Sequence, residues 1–260
     1  MKAIILAAGQ GTRLKKYTEN LPKGMLNFKG KTIIERQLEM YRRCGMTNII
    51  VVTGFAADKI AYKDVKYYHN RDFANTNMVE SMLCAREEFD SDVIVSYSDI
   101  LFSEDMLRTM MESTVDFGVA VDKNWQVYWQ KRYGRVDFDT ESLTLDEAGC
   151  ITSLGLENPP LSKIDARYVG LLKFSQAGLS RITELWDRDY SAYLEKPWQQ
   201  SGKFIRQAYM TDLLQALIGA GEAVKALEFK NGWLEFDTNE DYENACRWAE
   251  DGTIAELLDL

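Results

Sequence analysis

The sequence predicts an α/β fold built on a doubly wound, mostly parallel sheet. Three apolar runs of strand length, Lys2 to Ala8, Asn48 to Val52 and Asp92 to Ser98, alternate with segments of helical periodicity. Continuous apolar runs of this kind are typical of strands that are buried on both faces of a parallel sheet. Strands and helices that alternate at this spacing predict helices on both sides of such a sheet.

The first strand runs into a loop, Gly9 to Arg13, that carries two glycines. Backbone N–H groups at the end of a parallel strand can turn toward a phosphate, and small side chains let that phosphate approach closely. Arg13 and Lys23 would add positive charge, so we predict that they are the catalytic residues of a nucleoside triphosphate site. The predicted nucleotide-binding residues of this stretch are Leu6, Ala7, Ala8, Gly9, Gln10, Gly11 and Thr12.

Two other phosphate-binding patterns do not match this loop. The dinucleotide-binding pattern GxGxxG needs a third glycine at position 14, where the chain has Leu14. The P-loop pattern GxxxxGK[ST] does not occur in the chain. The sequence therefore favours a triphosphate loop of another type over a Rossmann cofactor site or a P-loop.

Composition excludes several classes of protein. With 260 residues, of which 46% are hydrophobic, the chain can form one large α/β domain. A net charge of -9 argues against a nucleic-acid or anionic-membrane surface. The apolar run from Ala3 to Ala8 is too short for a signal peptide or a membrane span. The scattered cysteines form no CxxC motif and predict buried thiols in a reducing compartment, so we expect a soluble cytoplasmic protein.

The first half of the chain continues the strand and helix alternation. A turn at Lys29-Gly30 precedes a predicted helix whose apolar stripe includes Ile34 and Leu38, and Cys44-Gly45 ends that helix. A third strand is predicted at Val65 to Tyr68.

The polar loop that follows leads into a helix starting near Met78, for which Asn77 is the predicted N-cap. After the next strand, Asp99 lies at the carboxyl edge of the sheet, where a carboxylate beside a triphosphate would hold a hard cation. The alternative is that Asp99 caps the helix beginning near Ser103-Glu104. We favour the metal site.

The alternation of strands and helices changes between Val115 and Phe174. We predict that this segment folds over the open edge of the sheet and contains a β-hairpin. At helical spacing, Trp125, Trp129 and Arg132 share one face, and packing is the usual explanation. Basic residues lie among these aromatic residues, and such a surface would also suit a phosphate-bearing acceptor. Both interpretations remain open, and Trp125, Trp129 and Arg132 are our predicted acceptor-binding residues from this segment.

Two helices and a strand complete the predicted fold. The helices span about Gln176 to Trp186 and Ile205 to Ile218, and the strand spans Ala223 to Phe229. Thr238 begins a good helix start, with acidic residues in the first turn, and Asp237 lies just before it at a strand end.

Several motifs resemble one enzyme family. The run LAAGQGTRL, followed closely by Pro22-Lys23, resembles the signature of nucleotidyltransferases of the sugar-phosphate and phosphocholine type. The motifs TNMVES, SYSDI, DKNW and GWLEFDT resemble the branch of phosphocholine, aminoethylphosphonate and phosphoglutamine cytidylyltransferases, most of all the bacterial enzymes of the capsule phosphoramidate pathway. An incidental strand-to-helix turn is a weaker explanation, because Arg13, Pro22 and Lys23 all match the family pattern.

The resemblance implies a Rossmann-like nucleotidyltransferase fold, with residues 1–260 as one domain and 115–174 as an acceptor-side insertion rich in β structure. It implies that Asp99 and Asp237 hold Mg²⁺, that Asn77 and Ser81 lie close to the base, and that Gly170 lies beside the acceptor. Simple helix capping by Asn77 explains that residue equally well. The chain departs from the phosphosugar pattern E-K-P at Asn158, where a lysine would meet the sugar phosphate. Whether Lys163 replaces that lysine is left open by the sequence.

The resemblance implies a Mg²⁺-dependent cytidylyltransferase that joins CMP from CTP to a small phosphorylated acceptor and releases pyrophosphate. Its partners would be CTP and the acceptor, with no nucleic acid and no membrane, and the sequence allows a homodimer without specifying one. One alternative is a sugar-1-phosphate nucleotidylyltransferase. Another is a non-catalytic nucleotide-binding regulatory module, against which the intact Arg13, Lys23, Asp99 and Asp237 argue.

Overall fold

A computed structural model describes residues 1–259, the side chain of Lys15 apart, and its framework is a mixed sheet covered by helices. The strands, in chain order, are β1 Lys2–Ala7, β2 Asn27–Phe28, β3 Lys31–Thr32, β4 Ile49–Thr53, β5 Lys66–His69, β6 Val93–Tyr97, β7 Ile100–Phe102, β8 Phe117–Asp122, β9 Glu141–Leu145, β10 Ile151–Glu157, β11 Arg167–Phe174, β12 Val224–Phe229 and β13 Trp233–Glu235. The α-helices are α1 Lys15–Thr18, α2 Ile33–Arg43, α3 Met78–Leu83, α4 Glu104–Glu112, α5 Trp125–Tyr133, α6 Gln176–Tyr190, α7 Met210–Gly219 and α8 Asn239–Asp251.

Seven strands form the central sheet, in the order β12-β8-β11-β6-β1-β4-β5. β1 pairs in parallel with β4 and β6, β4 with β5, and β8 with β12. Only β11 runs the other way, antiparallel to both β6 and β8. The predicted doubly wound, mostly parallel sheet is therefore confirmed. Because β11 is reversed, its first residue lies at the same edge as the last residues of β1, β6 and β8.

Residues of β1 alternate between two apolar cores, one on each face of the sheet. Ala3, Ile5 and Ala7 belong to the core under α2, α4, α5 and α8, whereas Ile4 and Leu6 belong to the core under α3, α6 and α7. Side chains of one strand point to opposite faces, so a strand with helices on both sides must be apolar throughout. This arrangement explains why the strand runs show no polar alternation.

Polar residues fix the starts of three helices. The Thr32 side chain caps α2 and forms a capping box with Glu35, and Ser103 caps α4 by accepting from the Met106 N–H at 3.2 Å. Thr238 caps α8 and forms a capping box with Asp241. Because Ser103 caps α4, Asp99 is not needed for that role, and the capping alternative for Asp99 is wrong.

The smaller strand pairs lie beside the sheet. β2 and β3 form a hairpin whose turn is Lys29-Gly30, both at positive φ, as predicted. β9 and β10 form the predicted hairpin. Segment 115–174 begins and ends in the central sheet, with β8 and β11, so that only α5 and the β9–β10 hairpin leave it.

Two helix boundaries differ from the sequence prediction. α6 continues to Tyr190, one turn beyond the predicted end. α7 starts at Met210 and not at Ile205, because residues 205–207 form a separate 3-10 turn and Asp212 accepts a hydrogen bond from the Tyr209 N–H at 2.9 Å. Across residues 1–259, no helix is both long and apolar enough to cross a bilayer.

Candidate active site

The glycine loop after β1 opens onto a cavity at the carboxyl edge of the sheet. Gly11 has a φ of +66°, a conformation that favours glycine, and a Cβ there would overlap the side chain of Lys23. The cavity has a volume of about 260 Å³. It is lined by Leu6, Gly9, Gly11, Thr12, Arg13, Lys23, Asn77, Met78, Tyr97, Ser98, Asp99 and Tyr209.

The predicted nucleotide-binding residues of the loop do not all face this cavity. Ala7 and Ala8 are buried, and the Ala8 carbonyl accepts a hydrogen bond from the Phe55 N–H at 3.0 Å. Gln10 lines an adjoining cavity of about 410 Å³ that shares Gly11 and Thr12. Ala7 and Ala8 therefore pack behind the loop and do not face the cavity.

Two aspartates distant in sequence meet because β13 pairs with β7. The antiparallel register places Glu235 opposite Ile100, and the Phe236 N–H then donates to the Asp99 carbonyl at 2.8 Å. Asp237, the next residue, therefore lies beside Asp99. The structure brings together the two residues that the sequence predicts as metal ligands.

Lys23 bridges the two aspartates. Its Nζ lies 3.0 Å from Asp99 Oδ2 and also donates to Asp237 Oδ1, while Arg13 Nη1 lies 2.7 Å from Asp237 Oδ2. Burial disfavours the charge of Lys23, but the adjacent carboxylates outweigh this effect and raise the pKa of Lys23 above its ordinary value of 10.5. Lys23 is thus a firmly cationic side chain at the mouth of the glycine loop.

The donor set suits a magnesium ion. Asp99 Oδ1 is buried without a hydrogen-bond partner, and an orphaned carboxylate oxygen beside a second carboxylate is a favourable ligand for a hard cation. Within the described residues, no group of three or more His, Cys, Asp or Glu side chains is arranged to hold a metal. Mg²⁺ is commonly bound by one or two carboxylates, with substrate phosphates and water as its remaining ligands.

A buried ion-pair network fixes the position of Asp237. Arg132 donates to both carboxylate oxygens of Asp241, at 2.5 and 2.6 Å, and to Glu235 Oε2 at 2.7 Å. Asp241 Oδ2 in turn accepts from the backbone N–H groups of Asp237, at 3.2 Å, and Thr238, at 2.8 Å. Arg132 therefore acts on the site through Asp241 and does not line the cavity.

The acceptor-binding prediction fails for three residues of α5. Trp125, Trp129 and Arg132 are 2%, 0% and 3% exposed and pack in the core between α5, β13 and α8. Trp129 also donates its indole N–H to the Phe138 carbonyl at 2.9 Å. Side chains buried this completely offer no surface to a ligand, so the packing interpretation explains them.

Asn77 and Ser81 occupy different places in the TNMVES loop. Asn77 lines the cavity, and its side chain accepts from the Met78 N–H at 2.9 Å, so it also caps α3. The Ser81 hydroxyl is buried; it donates to the Asn77 carbonyl at 3.1 Å and accepts from Asn70 at 3.0 Å. In the described structure Ser81 supports the loop and does not line the cavity, which disagrees with a direct base contact.

Gly170 lets the ring of Tyr97 lie against β11. Gly170 has a φ of +87°, and a Cβ there would approach the Tyr97 ring to 2.7 Å. The Tyr97 hydroxyl is 2.9 Å from that of Tyr168, and burial raises the pKa of both phenols. Gly170 thus lies behind Tyr97, a residue of the cavity wall, and its place beside the acceptor stays a prediction.

Sequence reasoning missed four residues that line the cavity, namely Met78, Tyr97, Ser98 and Tyr209. A signal for Tyr97 was present, because it ends the strand that leads to Asp99 and precedes Asp99 by two residues. The same spacing relates Glu235 to Asp237. Tyr209 carried no comparable signal, because it lies in a connection before α7.

Comparisons with known proteins agree with this geometry. A family model described as MobA-like NTP transferase domain matches residues 3–162. A CTP:phosphoglutamine cytidylyltransferase of Campylobacter jejuni is 33% identical over 254 residues, which cover 94% of this chain and 98% of the relative. A choline-phosphate cytidylyltransferase of Streptococcus pneumoniae is 32% identical over 158 residues, covering 59% of this chain and 68% of the relative.

The fold is also that of a solved structure. The structure of a CTP:phosphocholine cytidylyltransferase from Streptococcus pneumoniae matches with a TM-score of 0.73 at 21% identity, over 95% of this chain and 98% of that one. At that identity the likeness concerns the fold. It confirms the predicted Rossmann-like nucleotidyltransferase architecture.

Proposed function

The chain belongs to the MobA-like NTP transferase domain family of nucleotidyltransferases, and from this membership we propose that it is a cytidylyltransferase. The reaction joins CMP from CTP to a small acceptor that bears a phosphate, phosphonate or phosphoramidate group, with release of pyrophosphate. The observation that carries the proposal is the cluster of Arg13, Lys23, Asp99 and Asp237 at the mouth of the glycine loop. The full-length similarity to a cytidylyltransferase favours CTP over other nucleotides.

The chemistry requires positioning and charge neutralisation. An anionic oxygen of the acceptor attacks the α-phosphorus of CTP, a new P–O bond forms, and the bond to the bridging oxygen of the leaving pyrophosphate breaks. An acceptor phosphate is already ionised near neutral pH, so no general base is needed. Lys23 and Arg13 would stabilise the charge that develops on the triphosphate, and the loop would hold the two anions in line.

We propose Mg²⁺ as the cofactor, held by Asp99 and Asp237. The bound ion would neutralise phosphate charge and align the two substrates. Lys23 contacts both aspartates, so it would be released toward the triphosphate when a cation replaces it between them. The orphaned Asp99 Oδ1 supports this assignment, since no protein donor satisfies that oxygen in the described structure.

We propose that the nucleotide lies along the glycine loop, with Leu6, Gly9, Gly11 and Thr12 nearest to it. Asn77 is the polar side chain of the TNMVES loop that lines the cavity, so it is our candidate for the cytosine contact. Ser81 would contribute by fixing the Asn77 carbonyl.

The whole chain would act as one nucleotidyltransferase domain, with segment 115–174 on the acceptor side. The four cysteines are free thiols, which suits a reducing cytoplasm where CTP is made. Capsule or other cell-surface polysaccharide modification is the biological setting that the SYSDI, DKNW and GWLEFDT motifs favour. A homodimer is compatible with this proposal and is not required by it.

Pyrophosphate release tests the proposal. The enzyme is supplied with Mg²⁺ and with CTP, UTP, ATP, GTP or dTTP in turn, each against phosphocholine, 2-aminoethylphosphonate, phosphoglutamine and glucose 1-phosphate. We expect release with CTP and one or more of the first three acceptors. Release only with glucose 1-phosphate would support the sugar alternative, and nucleotide binding without release would support a regulatory module. Unchanged turnover in Asp99→Asn or Asp237→Asn would disprove the metal assignment.

A further inference from the structure

We propose that Arg167 binds an oxyanion of the acceptor. The assignment rests on the proposed function, because it names the residue that meets the second substrate of the same site. Arg167 was not among the residues predicted from the sequence. The proposal follows from where β11 places this arginine and from what its side chain lacks.

Strand direction brings Arg167 to the active-site edge. β11 is antiparallel to β6, with Leu171 opposite Ser96, so the chain before Leu171 extends beyond the end of β6, where Asp99 lies. Arg167 is the first residue of β11 and is paired with Asp122, the last residue of β8. In the strand order, β11 lies across β6 from β1 and its glycine loop. Arg167 therefore stands on the side of the transfer centre that the nucleotide loop leaves free.

The guanidinium of Arg167 is buried in part and lacks a close ion-pair partner among the described residues. Its Nη1 is buried and has no hydrogen-bond partner, and no carboxylate among the described residues lies within ion-pair distance of it. Its Cζ lies 4.5 Å from the centroid of the Trp129 ring, which holds the planar group against the core. A buried donor without a hydrogen-bond partner is unfavourable, so the position suits an oxyanion from outside the chain.

The neighbours of Arg167 connect it to the transfer centre. Trp129 also stacks with Arg132, whose Nη1 pairs with Glu235, and Glu235 is two residues before Asp237. Lys23 contacts both Asp99 and Asp237 at the transfer centre. An acceptor oxyanion between Arg167 and Lys23 would lie near the two aspartates.

Asn158 and Lys163 are less suited to this role than Arg167. The phosphosugar pattern has a lysine where this chain has Asn158, and Asn158 adopts a φ of +50° in the turn after β10. Lys163 is exposed at the end of a 3-10 turn, Leu161–Lys163. Arg167 is partly buried, planar and stacked, and a guanidinium can hold two oxygens of one phosphate or carboxylate. Arg167 therefore replaces the lysine better than Lys163 does.

Steady-state kinetics of Arg167→Gln and Arg167→Lys test the inference. We expect the KM for the acceptor to rise about 10- to 100-fold in Arg167→Gln, as for loss of a charge-assisted hydrogen bond, with the KM for CTP within twofold of the original. Arg167→Lys should recover part of the loss. Arg188→Gln is the matched control, because Arg188 is 65% exposed and pairs only with its neighbour Asp189.

Two acceptors show whether Arg167 binds the reacting phosphate or a carboxylate of the acceptor. Phosphocholine carries one anionic group, whereas O-phosphoserine adds a carboxylate. A rise in KM for both would identify the reacting phosphate, and a rise for O-phosphoserine alone would identify the carboxylate; either result supports the inference. An unchanged acceptor KM for both would overturn it.

Calorimetric titration separates this inference from the proposed function. Phosphocholine and O-phosphoserine are titrated into the unmodified protein and into Arg167→Gln, with thermal unfolding as a check that the variant is folded. Weaker binding to the variant supports the inference even if no pyrophosphate is released, in which case only the proposed function fails. Equal binding to both proteins, or no binding to the unmodified protein, overturns the inference.

Discussion

Lys23 and Arg13 differ at the residue scale, although both are basic and both contact Asp237. The Lys23 side chain is 15% exposed and bridges two carboxylates, whereas the Arg13 side chain is 64% exposed and contacts one. Removal of a buried charge leaves its partners uncompensated, while an exposed ion pair contributes little to stability. The two residues therefore share a proposed catalytic role but differ in what they contribute to stability.

We predict that Lys23→Met lowers both activity and stability, and that Arg13→Met lowers activity alone. Loss of either preorganised cation should reduce kcat on the order of 100-fold or more. Lys23→Met should also reduce the melting temperature, because Asp99 and Asp237 would lose the buried cation that lies between them. Pyrophosphate release and thermal unfolding measure the two effects, with the exposed Lys16→Met as control. Equal melting temperatures for both active-site variants would contradict this division.

A second prediction at the residue scale concerns Glu141 and the pH dependence of stability. Burial raises the pKa of Glu141 above its ordinary value of 4.5; Asp212 and Glu157 add to the rise, and Arg167 and Thr211 oppose it. The unfolded carboxyl titrates near 4.5 and the folded one higher, so the folded protein holds the extra proton between these values. Stability therefore falls as the pH rises through that interval.

We predict that Glu141→Gln removes this loss of stability at higher pH, because glutamine does not titrate. We expect the variant to melt at a higher temperature than the unmodified protein at pH 7.5, and the difference to shrink or vanish when the pH falls to 4.5. Thermal unfolding of both proteins from pH 4 to 8 measures it. A difference that is constant with pH would mean that titration of Glu141 is not the cause.

At the element scale, the contact between α5 and the start of α8 determines the geometry of the turn that carries Asp237, a proposed metal ligand. Arg132 on α5 holds Asp241 in the first turn of α8, and Asp241 holds the backbone at Asp237. The fork of a guanidinium matches both oxygens of a carboxylate, which an ammonium cannot do. The helix pair thus positions a ligand that belongs to neither helix.

We predict that Arg132→Lys increases the Mg²⁺ concentration needed for half-maximal activity and weakens Mn²⁺ binding measured by electron paramagnetic resonance. Arg132→Met should in addition cost about 3–5 kcal/mol of unfolding free energy, because it leaves buried carboxylates unpaired. Lys131→Met is the control, since Lys131 lies on the same helix and pairs with Glu256 at the surface. Metal binding that is unchanged in Arg132→Lys would show that the network is only structural.

The elements were predictable where one local signal dominated. Apolar runs identified β1, β4 and β6, and Thr238 with Asp241 identified the start of α8, because burial and capping leave marks on neighbouring residues. The role of the aromatic and basic residues of α5 was less clear from the sequence, since such a helix face suits a core and a ligand equally well. The burial of these side chains, together with the pairing of Arg132 with Asp241, 109 residues away, decides between them.

At the scale of the whole molecule, the sequence predicted which residues lie together where they follow strand ends, and it missed residues that reach the edge of the sheet in other ways. Arg13, Lys23 and Asp99 lie in or near loops after parallel strands, which topology places at one edge. Arg167 could not be predicted in this way, because it is the first residue of a strand. It lies at the same edge only because β11 is antiparallel to β6. The direction of a strand depends on the entire sheet and is not encoded in its own residues.

Binding of CTP and Mg²⁺ at the site should change the stability of the whole molecule. Without a metal ion, Lys23 is paired with Asp99 and Asp237, so CTP alone must compete with these carboxylates for its charge. Mg²⁺ between the aspartates would release Lys23 to the triphosphate, and the two ligands would then favour each other's binding. We therefore predict that CTP and Mg²⁺ together raise the melting temperature by more than the sum of their separate effects.

Thermal unfolding with CTP, Mg²⁺, both or neither measures this coupling. At a hundredfold excess over the dissociation constant, binding adds about 2.7 kcal/mol to the unfolding free energy, which corresponds to a shift of roughly 5–10 °C for a chain of this size. Asp99→Asn should abolish the excess while leaving some effect of CTP alone, because the loop remains intact. Strictly additive shifts in the unmodified protein would show that Lys23 does not exchange between the aspartates and the nucleotide.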